Sequence, residues 1–198
     1  MHETLKLIIV LGLIATISGG VLAYVHQTMS PAIEENKRIA LGEAILEVLP
    51  AASTYEVLSP GPNGGETLPV GGGTQITSEQ PIYQGVDANS EPAGIAFVAE
   101  GNGFGGSIQV MVGLDPTSRK LVGIKVLDHL ETPGLGARIT EPIFEGQFTN
   151  KSIDDAYVAK EDVDIITGAT ISSRAVASSI KNTLVQIEPI LRAGGVWE

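Results

Sequence analysis

An apolar stretch near the N-terminus constrains the fold of this chain more than any other feature. Residues 5–25 carry a single charge, on Lys6. At ~1.5 Å per residue, a helix of about 21 residues spans roughly 30 Å, the thickness of the hydrocarbon core of a bilayer. A cleaved signal peptide would have a shorter apolar core of about 7–15 residues followed by a small-residue cleavage site, which is not seen here. We therefore expect an uncleaved transmembrane anchor within residues 1–28.

The charge balance limits the partners of the chain. The formal net charge is −11, and because Glu3 and Lys6 cancel, all of it belongs to residues 26–198. Such an acidic domain repels the phosphates of nucleic acids and anionic lipids, so we expect no nucleic-acid partner. The orientation of the anchor stays open, because Lys6 precedes the apolar stretch while Lys37 and Arg38 follow it.

The absence of certain residue types excludes several kinds of site. The chain has no cysteine, so it has no disulfide, no thiolate-held iron–sulfur cluster and no cysteine nucleophile. Its three histidines, His2, His26 and His129, lie far apart, and none has another histidine at metal-ligand spacing. We predict no metal site.

The pattern after the anchor predicts an α+β domain. Ser30 and Pro31 form a helix-start signal, and an apolar stripe predicts that this helix continues to Pro50. Residues 59–74 are rich in Gly and Pro and predict a surface loop. The boundaries that follow are an anchor at 1–28, a linker helix at 29–58 and a folded domain at 59–198.

Within that domain, three β-like runs are joined by short turns. They cover residues 93–100, 107–114 and 121–127. Hairpin-length connections predict an antiparallel sheet. An amphipathic pattern that begins near Ser172 predicts a C-terminal helix. The order of helix, strands and helix indicates an antiparallel sheet flanked by helices.

Gly101, Gly103 and Gly106 match the spacing of a dinucleotide-binding loop. That site requires a strand followed by a helix, because the helix N-terminus holds the pyrophosphate. Here the glycines connect two predicted strands. We therefore expect a glycine-rich hairpin, of a kind that a ligand can approach closely.

The segment 164–174, with the sequence DIITGATISSR, predicts a turn entering a helix. Gly168 supplies backbone freedom and Ala169 keeps bulk away from the turn. The hydroxyls beside the unpaired N–H groups of the helix start belong to Thr170, Ser172 and Ser173. A phosphate would be stabilised there by those donors and by the helix dipole. An ordinary Ser/Thr cap explains the same residues, and physical argument alone favours the cap.

The same segment resembles the flavinylation motif of the FMN-binding domain family. That motif reads Asp, two residues, Ser or Thr, Gly-Ala-Thr, any residue, then Ser or Thr. The resemblance implies that Thr170 carries FMN through a phosphoester, with Thr167 at a position where many members have Ser. Residues 129–136, HLETPGLG, are similar to a stretch of the G subunit of Rnf complexes and of the C subunit of sodium-translocating NADH:quinone reductases. The hairpin around Phe104 is a weaker match, since Tyr is frequent there.

The resemblance also implies a set of flavin-binding residues. Glu131, Thr132 and the backbone of residues 134–136 are expected to line the isoalloxazine, although an ordinary tight turn explains the Thr-Pro-Gly sequence equally well. The full implied set is Thr170 as the covalent attachment point, with Thr167, Gly168, Ala169, Ser172, Ser173, Glu131, Thr132, Gly134, Leu135 and Gly136.

Attachment of FMN is expected to need a second protein. Thr170 has no general base at motif spacing except Asp164, which is itself part of the motif. The sequence also indicates no metal that could stabilise the charge developing in phosphoryl transfer. The resemblance implies a magnesium-dependent flavin transferase that uses FAD and releases AMP.

The resemblance implies an electron-transfer subunit that is not catalytic alone. It would act with other membrane subunits of an ion-translocating ferredoxin:NAD oxidoreductase complex in a bacterial or archaeal membrane, with residues 59–198 as an extracytoplasmic FMN-binding domain. Chain length favours the G subunit over the typically longer C subunit of the quinone reductase. A membrane-anchored sensor or ligand-binding module of the same fold, without flavin, is the competing interpretation. A self-sufficient reductase ranks last, because no substrate site or second redox centre is evident.

Overall fold

The apolar N-terminal stretch is part of one continuous helix. The computed structural model describes residues 2–59 and 81–193, and its first element is α1, His2–Val48. All side chains of residues 6–29 are exposed. The helix is long and apolar enough to cross a membrane, which confirms the predicted N-terminal apolar helix. Most of the predicted loop at 59–74 lies outside the described residues.

The predicted helix start at Ser30 and Pro31 is wrong, because α1 runs through both residues. The Ser30 hydroxyl does not cap a new helix. It donates a hydrogen bond to the carbonyl of His26, one turn earlier, at 2.9 Å. Pro31 removes only one N–H donor, and a helix that is already formed upstream can continue past that loss. The helix ends at Val48, just before Pro50.

The chain divides into two compact units, Met1–Ala40 and Leu41–Glu198. The second unit contains a five-stranded sheet in the order β1-β2-β3-β4-β5, with every neighbouring pair antiparallel. The strands are β1 Thr54–Ser59, β2 Ile82–Val86, β3 Pro92–Asn102, β4 Ser107–Asp115 and β5 Lys120–His129. The last three are the predicted strands. Sequence patterning missed β1 and β2, which are short.

Helices cover both faces of this sheet, which confirms the α+β class. On β3, Phe97 and Ala99 face the cluster that includes α3, Thr170–Ala193. The alternate residues Ala96 and Val98 belong to a second cluster with the last turns of α1 and Leu49. The period-2 alternation of a strand therefore places one helix on each side of the sheet.

Two short elements lead from β5 toward α3 and were not predicted. They are a 3₁₀ helix, Gly136–Thr140, and α2, Pro142–Gly146. The connection after α2 is fixed by side chains. The Asp162 carboxylate accepts hydrogen bonds from the N–H groups of Tyr157 and Val158 and pairs with Lys151 at 3.1 Å. The buried Tyr157 hydroxyl donates to the carbonyl of Ser152 at 3.0 Å.

Candidate functional site

A cavity of about 400 Å³ lies where the two sequence motifs meet. Its size falls in the range of pockets that bind small molecules and cofactors. We call it the first cavity. It is lined by Phe104, Glu131, Thr132, Leu135, Gly136, Gly168, Ala169, Thr170, Ile171 and Ser172. Folding thus brings the loop after β5 and the start of α3 to one cavity, although these segments are far apart in the sequence.

The carboxylate of Glu131 connects three segments beside this cavity. The side chain is buried, and one oxygen accepts a hydrogen bond from the Ser172 hydroxyl at 2.7 Å. The other oxygen accepts from the N–H of Gly105 at 2.9 Å. The backbone N–H of Glu131 donates to Nδ1 of His129 at 3.2 Å. Both oxygens of this buried group are therefore satisfied by the protein, which gives Glu131 a structural role in the site.

The close approach of Glu131 explains two of the glycines. A Cβ atom on Gly103 or on Gly136 would collide with the Glu131 carboxylate. On Gly136 it would also lie 2.8 Å from the Ser172 hydroxyl oxygen. The hairpin between β3 and β4 is formed as predicted, with Gly103 N–H donating to the carbonyl of Gly106 at 2.8 Å. Its glycines allow close packing of protein against protein.

Thr170 is the first residue of α3 and lies half-buried on the wall of the first cavity. Gly168, at φ +84°, makes the turn that precedes it. The Thr170 hydroxyl forms no hydrogen bond with any residue in the ranges 2–59 and 81–193, so it does not cap the helix. A hydroxyl in that position is accessible to a ligand or a modifying enzyme.

Three of the predicted site residues do not line the first cavity. Ser173 is fully buried, where its hydroxyl accepts from the N–H of Ile166 at 3.1 Å and donates to the carbonyl of Ala169 at 3.0 Å. Ser173 therefore fixes the turn before α3. Gly134 is exposed at φ +75°, where the turn requires a left-handed conformation. Thr167 lines a second cavity, which is described next.

A second cavity of about 270 Å³ is lined in part by residues 164–167, which precede Gly168 in the same segment. We call it the second cavity. Its lining consists of Arg138, Glu141, Ile143, Phe144, Gln147, Asp164, Ile165, Ile166 and Thr167. Arg138 and Glu141 form an ion pair at 3.0 Å, and this hydrogen bond raises the pKa of Arg138.

Sequence reasoning did not assign two residues of the first cavity to the site. Phe104 is 74% exposed, and Ile171 is also exposed. The sequence did contain a clue to Phe104: a large aromatic side chain lies in a glycine-rich turn, where it is not needed to fill a core. The signal for Ile171 was weaker, since it occupies the freely variable position of the motif.

Comparison with known proteins gives consistent results along most of the chain. The model of the FMN-binding domain family matches residues 103–185, which include all the lining residues of the first cavity. The G subunit of the ion-translocating oxidoreductase complex of Methanosarcina acetivorans is 32% identical over 189 residues, covering 92% of this chain and 93% of that protein. The protein of the same name from Pseudomonas aeruginosa is 32% identical over 195 residues, covering 92% and 88%.

Two further matches are less extensive or less similar. The G subunit of the proton-translocating ferredoxin:NAD(+) oxidoreductase complex of Clostridium ljungdahlii is 38% identical over 100 residues, covering 47% of this chain and 54% of that protein. The crystal structure of Shewanella oneidensis NqrC superposes with a TM-score of 0.63, covering 82% of this chain and 99% of that one, at 15% identity. The last match concerns the fold alone.

Proposed function

Because the chain belongs to the family of G subunits of ion-translocating oxidoreductase complexes, we propose that it is a membrane-anchored electron-transfer subunit with FMN in the first cavity. The bound flavin would supply the capacity to accept and release electrons. The protein would hold and orient it, and would act with other membrane subunits of the complex. The apolar N-terminal part of α1 would be the single membrane span.

The lining of the first cavity fits a flavin. Phe104, Leu135 and Ile171 offer apolar surface for a flat aromatic ring system. The first turn of α3 offers backbone N–H groups without helical partners, together with the positive end of the helix dipole, for a phosphate. Apolar walls with a few polar groups at one end are typical of cofactor pockets.

Thr170 is proposed as the covalent attachment point. The supporting observation is its hydroxyl, which lies on the cavity wall without a hydrogen bond to the described residues. In the proposed reaction, the Thr170 oxygen bonds to the phosphorus on the FMN side of FAD while the P–O bond to AMP breaks. AMP leaves and the hydroxyl proton is released. The resulting phosphodiester keeps one negative charge, which the helix N-terminus stabilises.

A flavin transferase is proposed to carry out this attachment. Among residues 2–59 and 81–193, no His, Asp and Glu side chains form a group that could hold a metal ion. Phosphoryl transfer depends on a positioned cation to stabilise developing charge, so the metal would come with the enzyme. The FMN-binding domain is further proposed to lie outside the cytoplasm, an orientation that follows from the family resemblance.

Substitution of Thr170 tests the proposed attachment. In a cell that makes the transferase, Thr170→Ala should abolish in-gel flavin fluorescence and lower the intact mass by one FMN less one water, beyond the substitution itself. The fold should persist, because this hydroxyl caps nothing and its loss costs less than about 1 kcal/mol. Thr170→Ser keeps a hydroxyl and should retain partial flavinylation.

Two results would contradict the proposal in different ways. Covalent flavin at the wild-type level in Thr170→Ala would show that another residue is the attachment point. A wild-type chain that carries no flavin, even when made with an active transferase, would favour a ligand-binding module of the same fold without a redox role.

A further inference from the structure

Arg174 lies beside the proposed attachment point on the surface of α3. It follows Thr170 by one turn, so the two side chains share a face of the helix, about 6 Å apart along the axis. At about 100° per residue, Arg174 falls between Thr170 and Ile171 around the helix, and both of these residues line the first cavity. Helical side chains lean toward the N-terminus, so the exposed Arg174 side chain can extend over the turn that carries Thr170.

The guanidinium of Arg174 forms no hydrogen bond or ion pair with residues 2–59 or 81–193. The other arginines of the chain each pair with a carboxylate, and they are Arg38, Arg119, Arg138 and Arg192. The one acidic residue within α3 is Glu188, which lies near the far end of the helix and already pairs with Arg192. Arg174 is therefore the arginine of the described chain whose charge is available to an added anion.

The surroundings of Thr170 make such a charge useful to a phosphate. Residues 26–198 carry a net charge of −11, so their summed field repels an anion that approaches the domain. The N–H groups at the start of α3 offset this repulsion with partial charges only. A guanidinium adds a full positive charge, and its planar set of N–H donors matches two phosphate oxygens at once. Arg174 thus supplies what the helix start lacks.

We propose that Arg174 is the counter-ion of the phosphodiester that joins FMN to Thr170. This inference rests on the proposed function. The guanidinium donates hydrogen bonds to the two non-bridging oxygens, which share the single negative charge that remains after AMP has left. Arg174 is a positioning residue, because it takes no part in bond formation. It holds the phosphate end of the cofactor against α3, while the ring system occupies the apolar part of the first cavity.

Thermal unfolding of the full-length chain in detergent, with and without covalent flavin, tests this pairing. The two forms come from cells with and without the transferase, and intact mass identifies each. Without flavin, Arg174→Gln should unfold at the wild-type temperature, because the lost side chain is exposed and unpaired. With flavin, the same variant should unfold about 2–4 °C below the wild type, and high salt should reduce this difference. Arg174→Lys should lose about half as much, because it keeps the charge without the planar donors.

Lys160→Gln is the matched control. Lys160 is also exposed, its ammonium group has no ion pair within the described ranges, and it lines neither cavity. Its substitution changes the net charge equally, so both forms should unfold near the wild-type temperature. The phosphorus-31 NMR signal of the phosphodiester is a second readout. It should shift in Arg174→Gln and stay in place in Lys160→Gln, whereas a purely structural role of Arg174 in α3 would not move it.

The outcomes separate this inference from the proposed function. A wild-type chain that accepts no covalent flavin contradicts the proposed function itself. A flavinylated Arg174→Gln chain with the wild-type unfolding temperature and phosphorus signal overturns only the pairing. Equal destabilisation of the forms with and without flavin overturns it too, because Arg174 would then stabilise the helix alone. If the transferase does not modify Arg174→Gln, flavinylated Arg174→Lys decides, and an unchanged temperature and signal in that variant contradict the pairing.

Discussion

Glu131 joins the β3–β4 hairpin, the loop after β5 and the start of α3 through hydrogen bonds from Gly105 and Ser172. The resemblance to known flavin domains implies that this residue lines the flavin. The structure adds that both carboxylate oxygens are already bound by the protein. Gly103 and Gly136 are the residues that make room for them. The Glu131 carboxylate therefore explains the serine at position 172 and the glycines at positions 103 and 136.

Loss of one hydrogen bond to Glu131 should destabilise the domain measurably. Ser172→Ala leaves a buried carboxylate oxygen without its donor, so we expect the free energy of unfolding to fall by about 1–3 kcal/mol. Thermal or urea unfolding of the full-length chain in detergent measures it. Ser178→Ala, an exposed serine on the same helix, should change the free energy by less than about 0.5 kcal/mol. Equal stability of the two variants would mean that the bond between Ser172 and Glu131 contributes nothing.

At the scale of elements, the connection between α2 and α3 is ordered largely without regular secondary structure. Tyr157 is buried at φ +57°, and its ring stacks on Phe148 with centroids 6.5 Å apart. The ammonium groups of Lys151 and Lys181 lie 5.4 Å and 5.7 Å from the centre of that ring. Asp162 holds the adjoining backbone. This packing positions residues 164–169 between the two cavities.

The contribution of Asp162 should depend on pH. Partial burial raises the pKa of Asp162, but the hydrogen bonds from Lys151 and from the N–H groups of Tyr157 and Val158 outweigh it, so the net pKa lies below the usual value. Because the folded-state pKa is depressed, the stabilisation is present above about pH 4, the value in the unfolded chain, and is lost as pH falls through the folded-state pKa.

Asp162→Asn should therefore lower the free energy of unfolding by about 1–3 kcal/mol at pH 7. The difference from the wild type should shrink as pH falls below about 4, and unfolding curves recorded between pH 7 and pH 3 measure it. A difference that stays constant over that range would show that the ionised form of Asp162 has no special contribution.

At the scale of the whole molecule, the chain combines an exposed apolar helix with a strongly acidic remainder. The side chains of residues 6–29 are all exposed, and the net charge of −11 belongs to residues 26–198. A water-exposed helix surface of that kind is unfavourable, whereas lipid accommodates it. The charges on either side of the apolar stretch favour neither orientation, so the location of the domain requires its own test.

Cysteine labelling tests the extracytoplasmic location. The chain has no cysteine, so Thr117→Cys, at an exposed position in the turn between β4 and β5, introduces a single reactive thiol. We expect a membrane-impermeant maleimide to label it in intact cells. Protection in intact cells followed by full labelling after lysis would place the domain in the cytoplasm.

The sequence determined the features that depend on local pattern. The length of the apolar stretch predicted the N-terminal helix, and the β-like runs with their short turns predicted β3, β4 and β5. The amphipathic repeat after Ser172 predicted α3. The two motifs were also visible in the sequence, and their residues were grouped in one site by resemblance to a family. The predictions of the helices and strands hold because the preference for helix or strand is determined largely by neighbouring residues.

Tertiary structure alone decided which of the two cavities each of those residues lines. It placed Thr170 on the first cavity and Thr167 on the second, and it bound the carboxylate of Glu131 within the protein. The continuation of α1 through Pro31 has a different origin, because a helix already formed upstream overrode the local signal for a new helix. Each of these outcomes depends on contacts between segments far apart in the chain, or on a helix already formed upstream. No local pattern of residue types contains that information, because the energy of such contacts exists only after the segments have packed together.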